Sequence, residues 1–176
     1  MKIENLLRNN IRALKPYKAA RHDLNTKGIL LDANESPFEN GYNRYPDPYQ
    51  KQLKKTVANL KSVKSEQVFI GNGSDETLDL LIRAFCEPNT DNVIIMPPTY
   101  GMYEVLANIN AVECIKAPLN KDFSLDAERV LAAVNSRTKI IFICSPNKPT
   151  GNSLSNREIN KVLENFNGIV VVDEAY

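Results

Sequence analysis

Short apolar runs alternate along this chain with stretches in which apolar residues recur every three or four positions. The first pattern is typical of strands, and the second is typical of helices that bury one face. The predicted strands are Ile29 to Asp32, Val68 to Ile70, Val93 to Met96, Val112 to Lys116, Lys139 to Cys144 and Ile169 to Asp173. The predicted helices are Tyr49 to Lys61, Asp75 to Phe85, Tyr100 to Ile109, Asp126 to Ala133 and Asn156 to Phe166. Their alternation predicts an α/β fold.

The last two predicted strands are almost entirely apolar, with no alternation between apolar and polar residues. Such strands are buried on both faces, which is typical of a mostly parallel sheet covered by helices. Ahead of these elements, an amphipathic segment ends near Pro16 and carries Leu6, Leu7, Ile11 and Leu14.

The last predicted helix has a start signal of its own. Ser155 and Glu158 have the spacing of a capping box, and Leu154 and Ile159 lie at the positions of a hydrophobic staple. We therefore expect this helix to begin directly after Ser155.

The charges of the chain nearly cancel, since 22 basic and 21 acidic side chains are scattered along its 176 residues. This distribution lacks the basic patch that binds nucleic acid or an anionic membrane surface. The apolar runs are too short to span a bilayer, and the first ten residues lack the apolar core of an export signal. We therefore expect a cytoplasmic protein with a small-molecule partner, and neither nucleic acid nor membrane.

The cysteines are Cys86, Cys114 and Cys144, and each lies within an apolar segment. An odd number of widely spaced cysteines favours reduced core thiols over a disulfide or a zinc site.

Ligands of parallel α/β proteins bind beyond the carboxyl ends of the strands, so the residues that follow each strand carry the candidate chemistry. Gly71 to Glu76 follows one predicted strand and opens a helix. The glycines allow a ligand to approach the backbone, and the N–H groups of a helix start favour a phosphate, with the Ser74 hydroxyl as a further donor. The alternative is a capped helix in which Asp75 and Glu76 complement the helix dipole.

Two further loops follow predicted strands. Tyr100 lies just after one strand, where its ring either stacks on a planar ligand or packs on the surface. The segment Ser145 to Gly151 is polar and held in shape by its prolines, which suits a binding loop, although a proline-rich turn would explain the same residues.

Asp173 ends the apolar run Ile169 to Val172. An ionised carboxylate at a buried position is costly without a cation or several donors, so we expect a positively charged partner there. One alternative is a helix cap, and another is the acidic strand of a P-loop ATPase. The second requires an upstream G-x-x-x-x-G-K-[ST] loop, which the sequence lacks.

Several motifs occur in the order and spacing found in fold-type-I pyridoxal-phosphate (PLP) aminotransferases. They are Asn43 to Pro46, Gly71 to Glu76, Pro97 to Tyr103, Ser145 to Gly151 and Asp173 to Tyr176. Leu31 to Pro37 and Leu81 to Pro88 make the chain most similar to the histidinol-phosphate aminotransferases within that family. The resemblance runs from about Tyr17 to Tyr176, and it implies pyridoxal 5'-phosphate as cofactor.

The resemblance implies a role for each residue of the cofactor site. Ser74 and Asp75 would hold the phosphate through backbone N–H groups, and Tyr100 would stack on the pyridine ring. Asp173 would pair with the protonated ring nitrogen, and Tyr176 would donate to the ring phenolate oxygen. The protonated ring then acts as an electron sink when the substrate loses its α-proton.

Other implied roles lie earlier in the chain. Tyr45 would reach across a two-fold interface to the phosphate of the neighbouring subunit's cofactor, which implies a homodimer. Tyr17 and Asn34, with Tyr45, would contact the substrate.

The chain departs from the family pattern at Lys148. The family has an asparagine directly before Pro-Thr-Gly, where it bonds the phenolate oxygen, whereas here Asn147 lies one residue earlier. A lysine still donates to a phenolate, but it lacks the fixed geometry of an amide and adds charge.

The sequence also ends before the Ser-Lys motif whose lysine holds the cofactor as a Schiff base in this family. The resemblance therefore implies an incomplete large domain over 31–176, preceded by an N-terminal arm and small-domain segment over 1–30. We expect the isolated chain not to transaminate and to expose apolar sheet surface.

The implied reaction converts histidinol phosphate and 2-oxoglutarate to imidazole-acetol phosphate and glutamate. A decarboxylase of threonine phosphate, or another aminotransferase of this class, shares most of the motifs. A nucleotide-binding module and a non-catalytic remnant are the alternatives outside the cofactor class.

Overall fold

A computed structural model of the chain describes residues 2–17, 29 and 31–176. Its helices are α1 (Asn9–Arg12), α2 (Lys51–Lys61), α3 (Gly73–Phe85), α4 (Met102–Ile109), α5 (Ala127–Ala132) and α6 (Asn156–Asn165). Its strands are β1 (Asn92–Ile95), β2 (Glu113–Lys116), β3 (Thr138–Cys144) and β4 (Ile169–Asp173). Short 3-10 turns lie at Ile3–Asn5 and Ser65–Gln67. None of these helices is both long enough and apolar enough to cross a bilayer.

The four strands form one sheet in the order β2-β1-β3-β4, and every neighbouring pair is parallel. This confirms the predicted parallel α/β sheet. After β1 the chain moves outward to β2, and it then returns to the other side of β1 to form β3. Such a reversal of direction opens a crevice at the carboxyl ends of the two central strands.

The apolar strands are buried because helices cover both faces of the sheet. On one face, Val93 and Ile95 pack with residues of α3 and α4, among them Ile82. On the other face, Ile94 and Ile141 pack with residues of α5 and α6. Neighbouring residues of one strand point to opposite faces, so a strand covered on both sides is apolar at every position.

By its contacts the chain divides into two compact units, of which one joins Met1–Ala13 to Gly71–Tyr176 and the other is Leu14–Ile70. The sheet belongs to the first unit. The predicted division of the chain into 1–30 and 31–176 stays a prediction.

Within the first unit, the N-terminal segment is anchored to the end of α3. The Arg8 backbone N–H donates to the Ala84 carbonyl at 3.0 Å, and the Arg8 guanidinium donates to the Arg83 carbonyl at 2.9 Å and pairs with Glu87 at 3.1 Å. A cation at a helix C-terminus satisfies carbonyls that lack an intrahelical partner.

Two predicted strands are not strands in the structure. Val68 to Ile70 is irregular, and the Phe69 side chain is 58% exposed. The prediction for Ile29 to Asp32 is also wrong for the described residues Ile29, Leu31 and Asp32, while residue 30 lies outside the described part. An apolar run becomes a strand only when a neighbouring strand pairs with its backbone, and local pattern does not supply that partner.

The last helix, α6, begins at Asn156 as predicted, whereas the other predicted helix starts differ by one or two residues. The helix predicted from Tyr49 begins at Lys51, because the Asp47 carboxylate accepts hydrogen bonds from the backbone N–H groups of both residues at 2.9 Å. The helix predicted from Asp75 begins at Gly73.

The predicted capping box at α6 is wrong. The Ser155 side chain makes no capping hydrogen bond, and Glu158 Oε2 instead accepts from the Ala127 backbone N–H at 3.2 Å. Glu158 therefore stabilises the start of α5. Leu154 and Ile159 are both buried in the same apolar cluster.

Candidate functional site

A pocket lies beyond the carboxyl ends of β1, β3 and β4. Its lining consists of Ser74, Tyr100, Cys144, Lys148, Asp173, Ala175 and Tyr176. Most of the residues that the sequence analysis assigned to a cofactor therefore meet in one place, although their roles stay predictions. The pocket is at the position where the strand order reverses, as expected for a ligand site of a parallel sheet.

Asp173 is the last residue of β4, and it is only 8% exposed. Its Oδ2 accepts a hydrogen bond from the Tyr103 hydroxyl at 2.7 Å, and its Oδ1 accepts one from the Ala175 backbone N–H at 3.1 Å. Within the described part of the chain, no cationic side chain forms an ion pair with it. A carboxylate accepts about four hydrogen bonds, so capacity remains for a donor or cation in the pocket.

Tyr103 links this carboxylate to the core. Its ring is fully buried on α4, stacks on Phe142 with centroids 5.0 Å apart, and meets Tyr100 edge-on at 5.5 Å. Burial raises the pKa of Tyr103 strongly, and the hydrogen bond to Asp173 raises it further. The hydroxyl therefore remains a donor over the whole neutral range.

The sequence analysis assigned no role to Tyr103. The signal was present, because Tyr103 lies three positions after Tyr100 at the start of a predicted helix, where residues of this spacing share a face.

Tyr100 follows β1 and is half-buried. Its hydroxyl donates to the two carboxylate oxygens of Asp75 at 3.1 and 3.2 Å. Desolvation raises the pKa of Tyr100, and the hydrogen bond to Asp75 acts in the same direction. This contact engages the Asp75 side chain, and Asp75 is not among the residues that line the pocket.

The start of α3 supplies backbone donors beside the pocket. Since the helix begins at Gly73, the N–H groups of Ser74 and Asp75 belong to its first turn, where they lack partners within the helix. Gly73 has a φ of 76°, a conformation that favours glycine. Glu76 accepts hydrogen bonds from the backbone and side-chain nitrogens of Asn72 and so closes the loop before the helix.

The loop after β3 carries Asn147 and Lys148, which differ in whether they line the pocket. Asn147 is buried, and its amide donates to the Pro98 carbonyl at 2.9 Å and to Thr150 Oγ1 at 2.6 Å. Its Oδ1 accepts from Thr99 Oγ1 at 3.0 Å. Both ends of the amide are thus used in holding the loop, and Asn147 does not line the pocket.

Lys148 lines the pocket instead. Its Nζ lies 3.4 Å from the Tyr176 hydroxyl, 5.1 Å from the centre of the Tyr100 ring and 5.4 Å from that of Tyr176. The hydrogen bond to Tyr176 raises the pKa of Lys148, so the amine is charged at neutral pH. Aromatic faces attract a cation, which explains its position between the two rings.

The remaining predicted contacts belong to the unit Leu14–Ile70. The side chains of Tyr17 and Tyr45 are 88% and 69% exposed. Asn34 has a φ of 49°, and the Tyr45 backbone N–H donates to the Glu35 carboxylate at 2.7 Å. The roles of these three residues stay predictions.

The three cysteines are free thiols, as expected for reduced residues of apolar segments. Cys86 and Cys144 are buried and Cys114 is half-buried. Burial raises the pKa of Cys86 to about 12 and that of Cys114 to about 11, so both are protonated and inert at neutral pH.

Comparisons with known proteins find relatives among the aminotransferases. A histidinol-phosphate aminotransferase of Flavobacterium johnsoniae is 57% identical over 178 residues, which cover 99% of this chain and 51% of that protein. The chain thus spans about half the length of the curated relatives it matches.

Two solved structures illustrate the likeness in fold. N-succinyldiaminopimelate aminotransferase from Mycobacterium tuberculosis has a TM-score of 0.70 at 28% identity, over 77% of this chain and 39% of that chain. Histidinol-phosphate aminotransferase from Sinorhizobium meliloti, solved in complex with pyridoxal-5'-phosphate, has a TM-score of 0.68 at 21% identity, over 74% of this chain and 36% of that one.

The sequence profile of the family described as aminotransferase class I and II matches residues 17–176. This match includes the whole sheet and each residue that lines the pocket. The chain therefore belongs to the aminotransferase class I and II family.

Proposed function

We propose that the chain binds pyridoxal 5'-phosphate at the carboxyl edge of its sheet and forms the cofactor-binding part of a histidinol-phosphate aminotransferase. The observation that carries this proposal is the buried Asp173 carboxylate, which lines the same pocket as Ser74 at the start of α3. An acid and a helix start in one pocket suit a ligand with a cationic ring and an anionic phosphate.

The residues of the pocket fit this cofactor. Asp173 retains capacity to accept from a protonated ring nitrogen, and the N–H groups of Ser74 and Asp75 are available to a phosphate. Tyr100 offers a ring for stacking, while Tyr176 and Lys148 offer donors to a phenolate oxygen. When bound, the cofactor supplies an electron sink for the carbanion that forms as the substrate loses its α-proton.

The residues of the chain would hold charge in place for that chemistry. Asp173 accepts two hydrogen bonds from the chain, and a carboxylate placed beside a ring nitrogen would favour the protonated ring. The Tyr103 hydroxyl fixes the direction of the carboxylate, since its ring is immobilised between Phe142 and Tyr100.

The proposed reaction transfers the amino group of histidinol phosphate to 2-oxoglutarate, in histidine biosynthesis. The support comes from relatives of that name at 50–57% identity over 99% of this chain.

We further propose a homodimer in which Tyr45 reaches the partner's cofactor and Tyr17 and Asn34 contact substrate. The free thiols support a cytoplasmic location.

Cofactor titration tests the proposal directly. Pyridoxal phosphate added to the purified chain should bind with saturable absorbance and fluorescence changes, and Asp173→Asn should weaken binding at least about tenfold, because it removes the charge opposite the ring nitrogen. Asp122→Asn, at an exposed position, serves as the control. Equal affinity of Asp173→Asn and the unchanged chain would overturn the assignment of the pocket.

An assay of the gene product separates the remaining candidates. Transfer of the amino group from histidinol phosphate to 2-oxoglutarate is the expected result. Release of carbon dioxide from threonine phosphate would identify the related decarboxylase instead. Binding of ATP, or binding of no ligand at all, would favour the nucleotide-binding module or the non-catalytic remnant.

A further inference from the structure

Two charged side chains line the pocket. Of the described residues that line the pocket, Lys148 is the only cation and Asp173 is the only acid. Asp173 is buried at the end of β4, whereas Lys148 is exposed and lies beside Tyr176. The pocket is therefore lined by a buried acid and by an exposed cation.

The position of this cation is set by the loop that carries it. Asn147, the preceding residue, is locked by hydrogen bonds to Pro98, Thr99 and Thr150. The ammonium itself is held by the hydroxyl of Tyr176 and by the rings of Tyr100 and Tyr176. These contacts hold the ammonium group of Lys148 at the pocket.

A pyridoxal-type cofactor alternates between an aldehyde form and an amine form when an amino group is transferred. The amine form carries one additional ammonium group, and like charges in one small pocket repel each other. We infer that Lys148 makes this pocket discriminate against the amine form of the cofactor. This inference rests on the proposed function, and it assigns to Lys148 a specificity role that an asparagine would not have.

The size of the effect is limited by solvent. Lys148 is exposed, so water and salt screen its charge and the discrimination amounts to about threefold to tenfold at low salt. The same screening predicts that the discrimination shrinks as salt is added.

Two unreactive probes measure this discrimination without activity. Pyridoxamine phosphate carries an aminomethyl group on its ring. Deoxypyridoxine phosphate has a methyl group at the same ring position. Neither has an aldehyde, so surface lysines do not capture them. The ratio of the two dissociation constants, measured by calorimetry, isolates the cost of the amine within each variant.

The dissociation constant of the amine probe divided by that of the methyl probe should fall about threefold to tenfold in Lys148→Gln. In Lys148→Arg, which keeps the charge, this ratio should stay within about twofold of its value in the unchanged chain. Lys161→Gln is the matched control, because Lys161 is a cation of α6 that pairs with Glu128. A general loss of folding weakens both probes alike and leaves the ratio unaffected.

An unchanged ratio in Lys148→Gln would overturn the inference and leave the proposed function intact. An equal fall in Lys148→Arg would overturn it as well, since shape and not charge would then be responsible. Failure of the unchanged chain to bind either probe would overturn the proposed function and the inference together.

Discussion

The Tyr103 hydroxyl donates a hydrogen bond of 2.7 Å to the Asp173 carboxylate. Tyr103→Phe removes this hydroxyl and keeps the buried ring. We expect the free energy of unfolding to fall by about 1–3 kcal/mol, because a buried hydrogen bond is lost and the Asp173 carboxyl group keeps one acceptor without its partner. Affinity for pyridoxal phosphate should fall too, and its bound absorbance spectrum should shift. Urea unfolding and cofactor titration are the measurements.

Tyr42, which is 95% exposed, offers a matched control. Tyr42→Phe should leave both stability and cofactor affinity unchanged. If Tyr103→Phe lowered stability but changed neither affinity nor spectrum, the hydroxyl would be structural only.

The raised pKa of Cys86 should make the free energy of unfolding depend on pH. Burial raises its pKa from the ordinary 9.0 to about 12 in the folded chain. Between these values the unfolded chain has lost the proton and the folded chain has kept it, so stability is full below pH 9 and falls as pH rises toward 12. Cys86→Ala should remove this contribution, which amounts to about 1.4 kcal/mol per pH unit.

The measurement is urea unfolding at a series of alkaline pH values. Only the slope matters, because the cavity left by alanine lowers stability equally at every pH. Parallel curves for the two proteins would show that Cys86 titrates normally when folded.

Single residues of the site were only partly predictable. Ser74, Tyr100, Lys148, Asp173 and Tyr176 follow strands or open helices, and this position in the sequence suffices to place them near one edge of a parallel sheet. Lys148 was assigned to the site from its place before Pro-Thr-Gly, and it lines the pocket. The contacts of Asn147 were not predictable, because its side chain is held by the loop Pro97 to Thr99, which is nearly fifty positions away.

Among the elements, α5 is stabilised by a residue of α6. Glu158→Ala removes the acceptor for the Ala127 backbone N–H and should lower the free energy of unfolding by about 1 kcal/mol, as the loss of a helix cap does. Glu164→Ala, at an exposed position of the same helix, should change stability by less than about 0.5 kcal/mol. Thermal unfolding of the two variants checks both values. A similar effect of both changes would mean that the hydrogen bond from Ala127 to Glu158 contributes no measurable stability.

The elements themselves were predicted with small errors where they pack on the sheet. α3 to α6 begin and end within two residues of the predicted bounds, because their apolar faces and the covered strands specify each other. Val68 to Ile70 shows the limit of this approach. Its apolar residues meet the local requirement for a strand, but none of the described strands pairs with them.

At the scale of the whole molecule, β4 forms one edge of the sheet. It pairs with β3 on one side, and no strand of the described part pairs with its other side. Val172, at 37% exposed, lies on this edge. Exposed apolar edges promote association between chains, so the purified chain should self-associate in a concentration-dependent way.

Val172→Lys should reduce that association severalfold, because a charge on an edge strand opposes pairing with another chain. Lys55→Glu, an exposed change of charge outside the sheet, controls for a general effect of charge on solubility. Light scattering over a concentration series is the measurement. Equal scattering from Val172→Lys and the unchanged chain would exclude the β4 edge as the surface responsible.

The sequence by itself determined the parallel sheet, its helical cover and the polar residues at its carboxyl edge. These follow from local rules. A strand buried on both faces is apolar throughout, and polar residues that follow such strands lie where parallel sheets bind ligands. The tertiary structure alone decided which side chains meet. Tyr103 and Asp173 are 70 positions apart and Ala127 and Glu158 are 31 apart, and only the packing of the elements brings such pairs within hydrogen-bonding distance.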